Sequence, residues 1–192
     1  TRALGTTDDL SGITFGNGAF IAVGRDVNNF GTILTSPDGD QWTTRASGTT
    51  DDLSGITFGN GAFAAVGSRG TILTSPDGSQ WTTRNPGNIN PLRGITFGNG
   101  VFAAVGDGGT ILTSIDVSHW TTSNSGITDE NRNLYEITFG HSTFVVVGRF
   151  GTILQSSVVS PGLHAHAHAY AKAYAKAHAY TNTESDTDGK GD

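Results

Sequence analysis

Cysteine and methionine are both missing from this 192-residue sequence. The first absence excludes disulfides, a thiolate nucleophile and any cysteine-based metal site. Basic residues are few: 11 Lys and Arg stand against 17 Asp and Glu, for a net charge of -6. Scattered singly, they make no basic stripe for a phosphate backbone, which argues against a nucleic-acid partner. No apolar run approaches the roughly 20 residues of a bilayer-crossing helix, so no membrane span is expected. No basic and apolar signal segment opens the chain either. Proline numbers only 5 while glycine reaches 28, and with abundant Thr, Ser and Asn that balance suits strands and tight turns rather than helices.

What is present is a repeat. LSGITFGNGAFIAVG at Leu10 returns as LSGITFGNGAFAAVG at Leu53, LRGITFGNGVFAAVG at Leu92 and LYEITFGHSTFVVVG at Leu134. A period of about 40 residues marks a repeat architecture. Two copies carry insertions: RDVNNF at 25–30, where the second copy has only Ser68 and Arg69, and the stretch TTSNSGITDENRN after Trp120. Surface loops accept such additions at little cost.

Within the second copy, Gly and Asn punctuate four runs rich in Ile, Val, Phe and Thr: GITF at 55–58, AFAAV at 62–66, TILTS at 71–75 and QWTTR at 80–84. The joints GNG, GSRG and PDG are hairpin turns by composition, with glycine supplying positive φ. FVVVG at 144–148 is apolar on both faces, as expected of a strand covered on each side by a neighbouring sheet. Four antiparallel strands per repeat, with a Trp near the last, predict an all-β chain: a β-propeller of four-stranded blades over 1–160. A low-complexity linker (161–181) and an acidic stub (182–192) follow.

The fourth copy lacks its last strand, and TRALGTTDDL at the N-terminus repeats TRASGTTDDL at 44–53. Residues 1–9 are therefore expected to supply the missing strand and close a ring. The alternative is that they are the stump of a further blade in a longer array, the ring being completed by missing blades or by a second copy.

AVGDGGTILTS at 104–114 and SPDGSQW at 75–81 resemble the repeats of photosystem II stability and assembly factor-like propellers. They are also similar to the wider Asp-box group that includes sialidases. Here the boxes comprise Ser36, Asp38 and Trp42; Ser75, Asp77 and Trp81; and Ser114, Asp116 and Trp120. Each has one residue fewer between Asp and Trp than the family pattern, and the third has lost its Gly. The resemblance implies the fold; propellers host unrelated tasks. Each short carboxylate is expected to accept backbone N–H groups and fix its turn, and each Trp to pack between sheets.

No catalytic set can be assembled. Sialidases, which the boxes resemble, use an Arg cluster, a Tyr nucleophile and a partnering Glu. Tyr135 and Glu136 are adjacent, so in a regular strand they point to opposite faces. No G-x-S-x-G elbow is present, and His119 and His141 stand alone. The expectation is a non-enzymatic module, secreted, periplasmic or on the cell surface, that binds a protein or glycan. The alternative is a structural spacer in a larger adhesin-like surface protein. Contact residues are sought where the repeat departs from its minimum: Arg25, Asp26, Asn28, Asn29 and Phe30 in one insertion, and Asp129, Glu130, Asn131 and Arg132 in the other.

The tail HAHAHAYAKAYAKAHAY at 164–180 alternates Ala with larger residues. As a strand it would place His164, His166 and His168 on one face, about 7 Å apart, a spacing that suits a divalent transition metal; as a helix it would have no apolar stripe. The plainer reading is a flexible linker. TESDTDGKGD follows, with Glu184, Asp186, Asp188 and Asp192 at alternating positions suited to calcium. It is similar to thrombospondin type 3 calcium repeats, though without the last bidentate ligand. No cofactor is required by anything in the repeats.

Overall fold

The structure, a computed structural model, describes residues 6–127, 129 and 131–156. Residues 1–5 of the N-terminal strand expected at 1–9, with Glu130, the His-rich linker and the acidic stub, lie outside the described residues, and Asp9 opens the first strand of the first sheet instead. Three sheets have four strands each, antiparallel and in chain order. The first holds β1 (Asp9–Gly16), β2 (Ala19–Arg25), β3 (Gly31–Ser36) and β4 (Thr43–Arg45). The second holds β5 (Leu53–Gly59), β6 (Ala62–Gly67), β7 (Ile72–Ser75) and β8 (Thr82–Arg84). The third holds β9 (Leu92–Gly98), β10 (Val101–Gly106), β11 (Ile111–Ser114) and β12 (Thr121–Ser123). A fourth sheet has β13 (Leu134–Gly140), β14 (Thr143–Gly148) and β15 (Ile153–Gln155).

The first hairpin of each blade turns on two residues with positive φ: Asn17 and Gly18, Asn60 and Gly61, Asn99 and Gly100. That is the mirror-image turn matched to the strand twist. The fourth blade keeps the geometry with His141 and Ser142 at φ 49° and 59°, conformations less favourable without Asn or Gly.

The innermost strands β1, β5, β9 and β13 lie side by side in that order, which makes the sheets blades of a propeller. Three apolar layers fill the junctions. Between the first and second blades, Ile21, Val23 and Ile33 meet Leu53, Ile56, Phe63 and Leu73, with Phe58 and Trp81 alongside. Equivalent residues recur between the second and third blades and between the third and fourth. Each junction also seats a phenylalanine on a glycine. A Cβ on Gly16 would lie 2.1 Å from the Phe58 ring, one on Gly59 2.0 Å from Phe97, and one on Gly98 2.0 Å from Phe139. Only glycine leaves room for these rings.

The two ends differ from this pattern. On the first blade, Ile13 is 62% and Phe15 56% exposed, although Ile56 and Ile95, the counterparts of Ile13, are buried and Phe58 and Phe97, those of Phe15, are partly buried. On the fourth, Val147 is 44% and Ile153 59% exposed, against buried Val66 and Ile72. FVVVG is therefore covered on one side alone among the described residues: Val146 packs on the third blade, while the opposite face, expected to be sandwiched, meets no described sheet.

Candidate protein-binding face

Antiparallel pairing decides which loops share a side of the propeller. Leu10 pairs with Gly24 and Ile33 with Arg45, so the start of β1, the β2–β3 turn and the exit of β4 lie at one end of the blade. The hairpin joining β1 to β2 and the Ser-Pro-Asp-Gly turn between β3 and β4 lie at the other. Both insertions, 26–30 and 124–133, are consequently on the first side. It also carries the β2–β3 type turns of the later blades.

On this side every innermost strand is bulged at the same repeat position. Pairing jumps from Leu10 to Gly12, Leu53 to Gly55, Leu92 to Gly94 and Leu134 to Glu136. Ser11, Ser54, Arg93 and Tyr135 are the residues left over, and a bulge re-aims such a side chain. Alternation does not carry across it. Tyr135 and Glu136 are both exposed, in a bulged stretch rather than the regular strand expected for them. Arg93 donates from its guanidinium to both carboxylate oxygens of Asp107 and lies 5.8 Å from the Tyr135 ring centroid. The hydrogen bond it donates to Asp107 raises the Arg93 pKa further. Arg93, Glu136, Ser11 and Ser54 line a polar hollow of about 150 Å³ between the innermost strands. Its floor includes Gly12, Gly55 and Gly94.

Around the hollow the side is rich in arginine and aromatic rings. Arg25 pairs with Asp9 at 3.0 Å, and Arg69 with Asp51. Arg149 stacks on the exposed Phe150, its guanidinium 4.6 Å from the ring centroid. In the first insertion, Asp26 Oδ1 accepts the backbone N–H groups of Asn28 and Phe30, each at 2.8 Å. The Phe30 N–H is the main reason the Asp26 carboxyl titrates below its ordinary value. Asn29 takes a positive φ, and the loop displays Phe30 to solvent. In the second insertion, Asp129 Oδ1 accepts the Asn131 N–H at 2.9 Å, and Arg132 reaches Thr152 Oγ1 at 3.3 Å. Among the described residues, no hydrogen bond or ion pair joins the two insertions. The second bridges two blades, since Asn133 accepts the Gly108 N–H of the third through its side chain and the Arg149 N–H of the fourth through its carbonyl.

The opposite side carries the three Asp turns. Asp38 Oδ1 accepts the N–H groups of Asp40 and Gln41, Asp77 those of Ser79 and Gln80, and Asp116 those of Ser118 and His119. Ser36, Ser75 and Ser114 donate their hydroxyls to the same carboxylates. The Asp77 pKa falls to about 2, led by the Ser79 hydroxyl. That of Asp38 falls through the Gln41 and Asp40 N–H groups. At Asp116 burial opposes ionisation, but hydrogen bonds from His119 and Ser118 outweigh it and lower the pKa. Trp42, Trp81 and Trp120 each donate their indole N–H three residues back, to the carbonyls of Gly39, Gly78 and Val117. Trp81 and Trp120 pack against the junction layers. These residues are occupied in holding turns.

Arg93 escaped the sequence reading. Its signal was there in the change from LSG to LRG and LYE at the bulge position of the last two copies. Among the described residues, no group of three or more His, Asp or Glu is placed to hold a metal.

No family model matches this sequence, and no curated protein does. Solved structures do. YCF48 from Cyanidioschyzon merolae aligns with a TM-score of 0.63 at 17% identity, over 82% of this chain and 56% of that one. YCF48 bound to D1 peptide aligns at 0.59 and 19% identity, over 81% and 52%. The computationally designed Ika4 protein aligns at 0.62 and 13% identity, over 81% and 94%. These likenesses establish the β-propeller fold, and the chain spans about half the length of the YCF48 chains.

Proposed function

We propose that this propeller is a non-enzymatic protein-binding or assembly module that takes an extended peptide segment across the side bearing the bulged innermost strands. One observation carries the reading. Ser11, Ser54 and Arg93 from three of the bulges and Glu136 of the fourth blade line one polar hollow, and the bulge position changes from Ser to Arg93 and Tyr135 in the last two blades, on the side that also displays Phe30 and Phe150. Arginine and aromatic side chains dominate binding energy at protein interfaces. A spacer would expose only short Gly, Asn and Thr loops. YCF48, a similar propeller, has been solved with a peptide bound, which supports a peptide ligand over a glycan. The likeness of the tail to calcium repeats of bacterial surface proteins supports a secreted, periplasmic or cell-surface setting, with calcium and transition-metal binding proposed for the tail alone.

Selection of a phage-displayed random peptide library on the full chain tests this. Enriched peptides should lose about tenfold or more in affinity on Arg93→Ala or Tyr135→Ala, as expected of hot-spot residues. Failure to enrich any peptide, or enriched peptides indifferent to both substitutions, would refute the reading.

A further inference from the structure

We infer that two copies of this chain close one ring, the fourth blade of each packing on the first blade of the other. The occupant follows from the repeat. Inside the chain the rear of one blade meets the front of the next three times, always with the same residue positions. The rear positions are Ile21, Val23 and Ile33 in the first blade. In the fourth they are Val145, Val147 and Ile153, the last two exposed. The front positions Leu53, Ile56 and Phe58 of the second blade correspond to exposed Leu10, Ile13 and Phe15 in the first. The described blades thus present, at their two outer faces, the two halves of a junction formed three times between them.

The phenylalanine seat makes the match specific. Gly16, Gly59 and Gly98 each lie under a ring from the following blade, but a Cβ on Gly140 would meet nothing within 4 Å. Among the described residues, Gly140 is a vacant seat and Phe15 an unseated ring. The sequence ahead of β1 agrees: TRALGTTDDL repeats TRASGTTDDL, the segment that leaves β4 of one blade and enters β5 of the next. Head-to-tail contacts of this kind give a closed ring when the rotation closes and a filament when it does not. Four blades span about half of the YCF48 chains, so two copies complete the circle.

Light scattering of the full chain during size-exclusion chromatography, over a hundredfold range of concentration, decides the matter. The wild-type mass should be twice the 19.9 kDa of one chain. Gly140→Val fills the seat on a face where nothing lies within 4 Å, so it should keep the far-UV spectrum and yet run at the mass of one chain. Phe15→Asp should do the same. An equimolar mixture of the two variants should regain the double mass in part, because the intact Phe15 of one meets the intact Gly140 of the other. A wild-type mass of one chain throughout, with the ends covered by the chain's own remaining segments or by further blades, would overturn the proposal. So would a Gly140→Val protein that still dimerises, or a ladder of larger species.

Discussion

Truncating Phe102 to alanine should destabilise the protein by about 3–5 kcal/mol, the range for emptying a large buried site. Phe102 is wholly buried in the layer between the second and third blades, where it meets Phe97 at 4.6 Å and Trp120 at 6.5 Å between ring centroids. Phe15, the counterpart of Phe97 rather than of Phe102, is 56% exposed. Its ring touches Phe20 at 4.7 Å and is otherwise turned to water. In the Gly140→Val background, where the chain stands as a single arc, Phe15→Ala should therefore cost about 1 kcal/mol or less. Urea unfolding followed by tryptophan fluorescence measures both. Equal losses at the two positions would mean that the first blade is covered in the single chain.

Gly67→Ala should be worse still, at about 3 kcal/mol or more. The residue is extended, with φ -167°, so backbone conformation is not the obstacle. The added Cβ would lie 1.9 Å from the Asp52 carbonyl oxygen, and that carbonyl is fixed because it accepts the Ser68 N–H at 2.9 Å. Backbone cannot step aside as a side chain can. Gly24 and Gly106 face the same clash with the carbonyls of Asp9 and Pro91. Gly61→Ala is the control: its φ is +75° with nothing within 4 Å, so it should lose only about 1–2 kcal/mol for the left-handed conformation. Thermal unfolding of the pair by circular dichroism separates a steric cost from a conformational one.

The blade was legible in the sequence because its signals are local. Two-residue turns, alternating apolar strands and the repeat itself each depend on residues close in the chain, and strands expected at 55–58 and 62–66 in the second copy appear as β5 and β6. The insertions were also visible, as departures from a common minimum. The side they share was not, since it follows from pairing register between strands. The bulge was hidden for a related reason: LSG, LRG and LYE read as ordinary strand until the partner strand shows one residue left over. Hence Arg93 went unnoticed. Composition marks FVVVG as apolar on both faces but not what lies against them, and among the described residues only the Val146 face meets a neighbouring sheet.

The seat of Phe15 on Gly140 can be tested covalently, since the chain has no cysteine of its own. Where Phe58 lies on Gly16, the first ring carbon is 2.1 Å from the Cβ position of that glycine. The Phe58 Cβ lies roughly 2.7 Å from that position, so a cysteine pair there reaches the ~3.5–4.5 Å disulfide range after a shift of about 1 Å, with the bulky ring removed. Gly16→Cys with Phe58→Cys should thus oxidise within one chain and serve as the control. Gly140→Cys with Phe15→Cys, placed in a single chain and oxidised under the same conditions, should run on a non-reducing gel as a covalent dimer and return to one chain on reduction. A chain that stays monomeric while the control pair oxidises would contradict the two-copy ring.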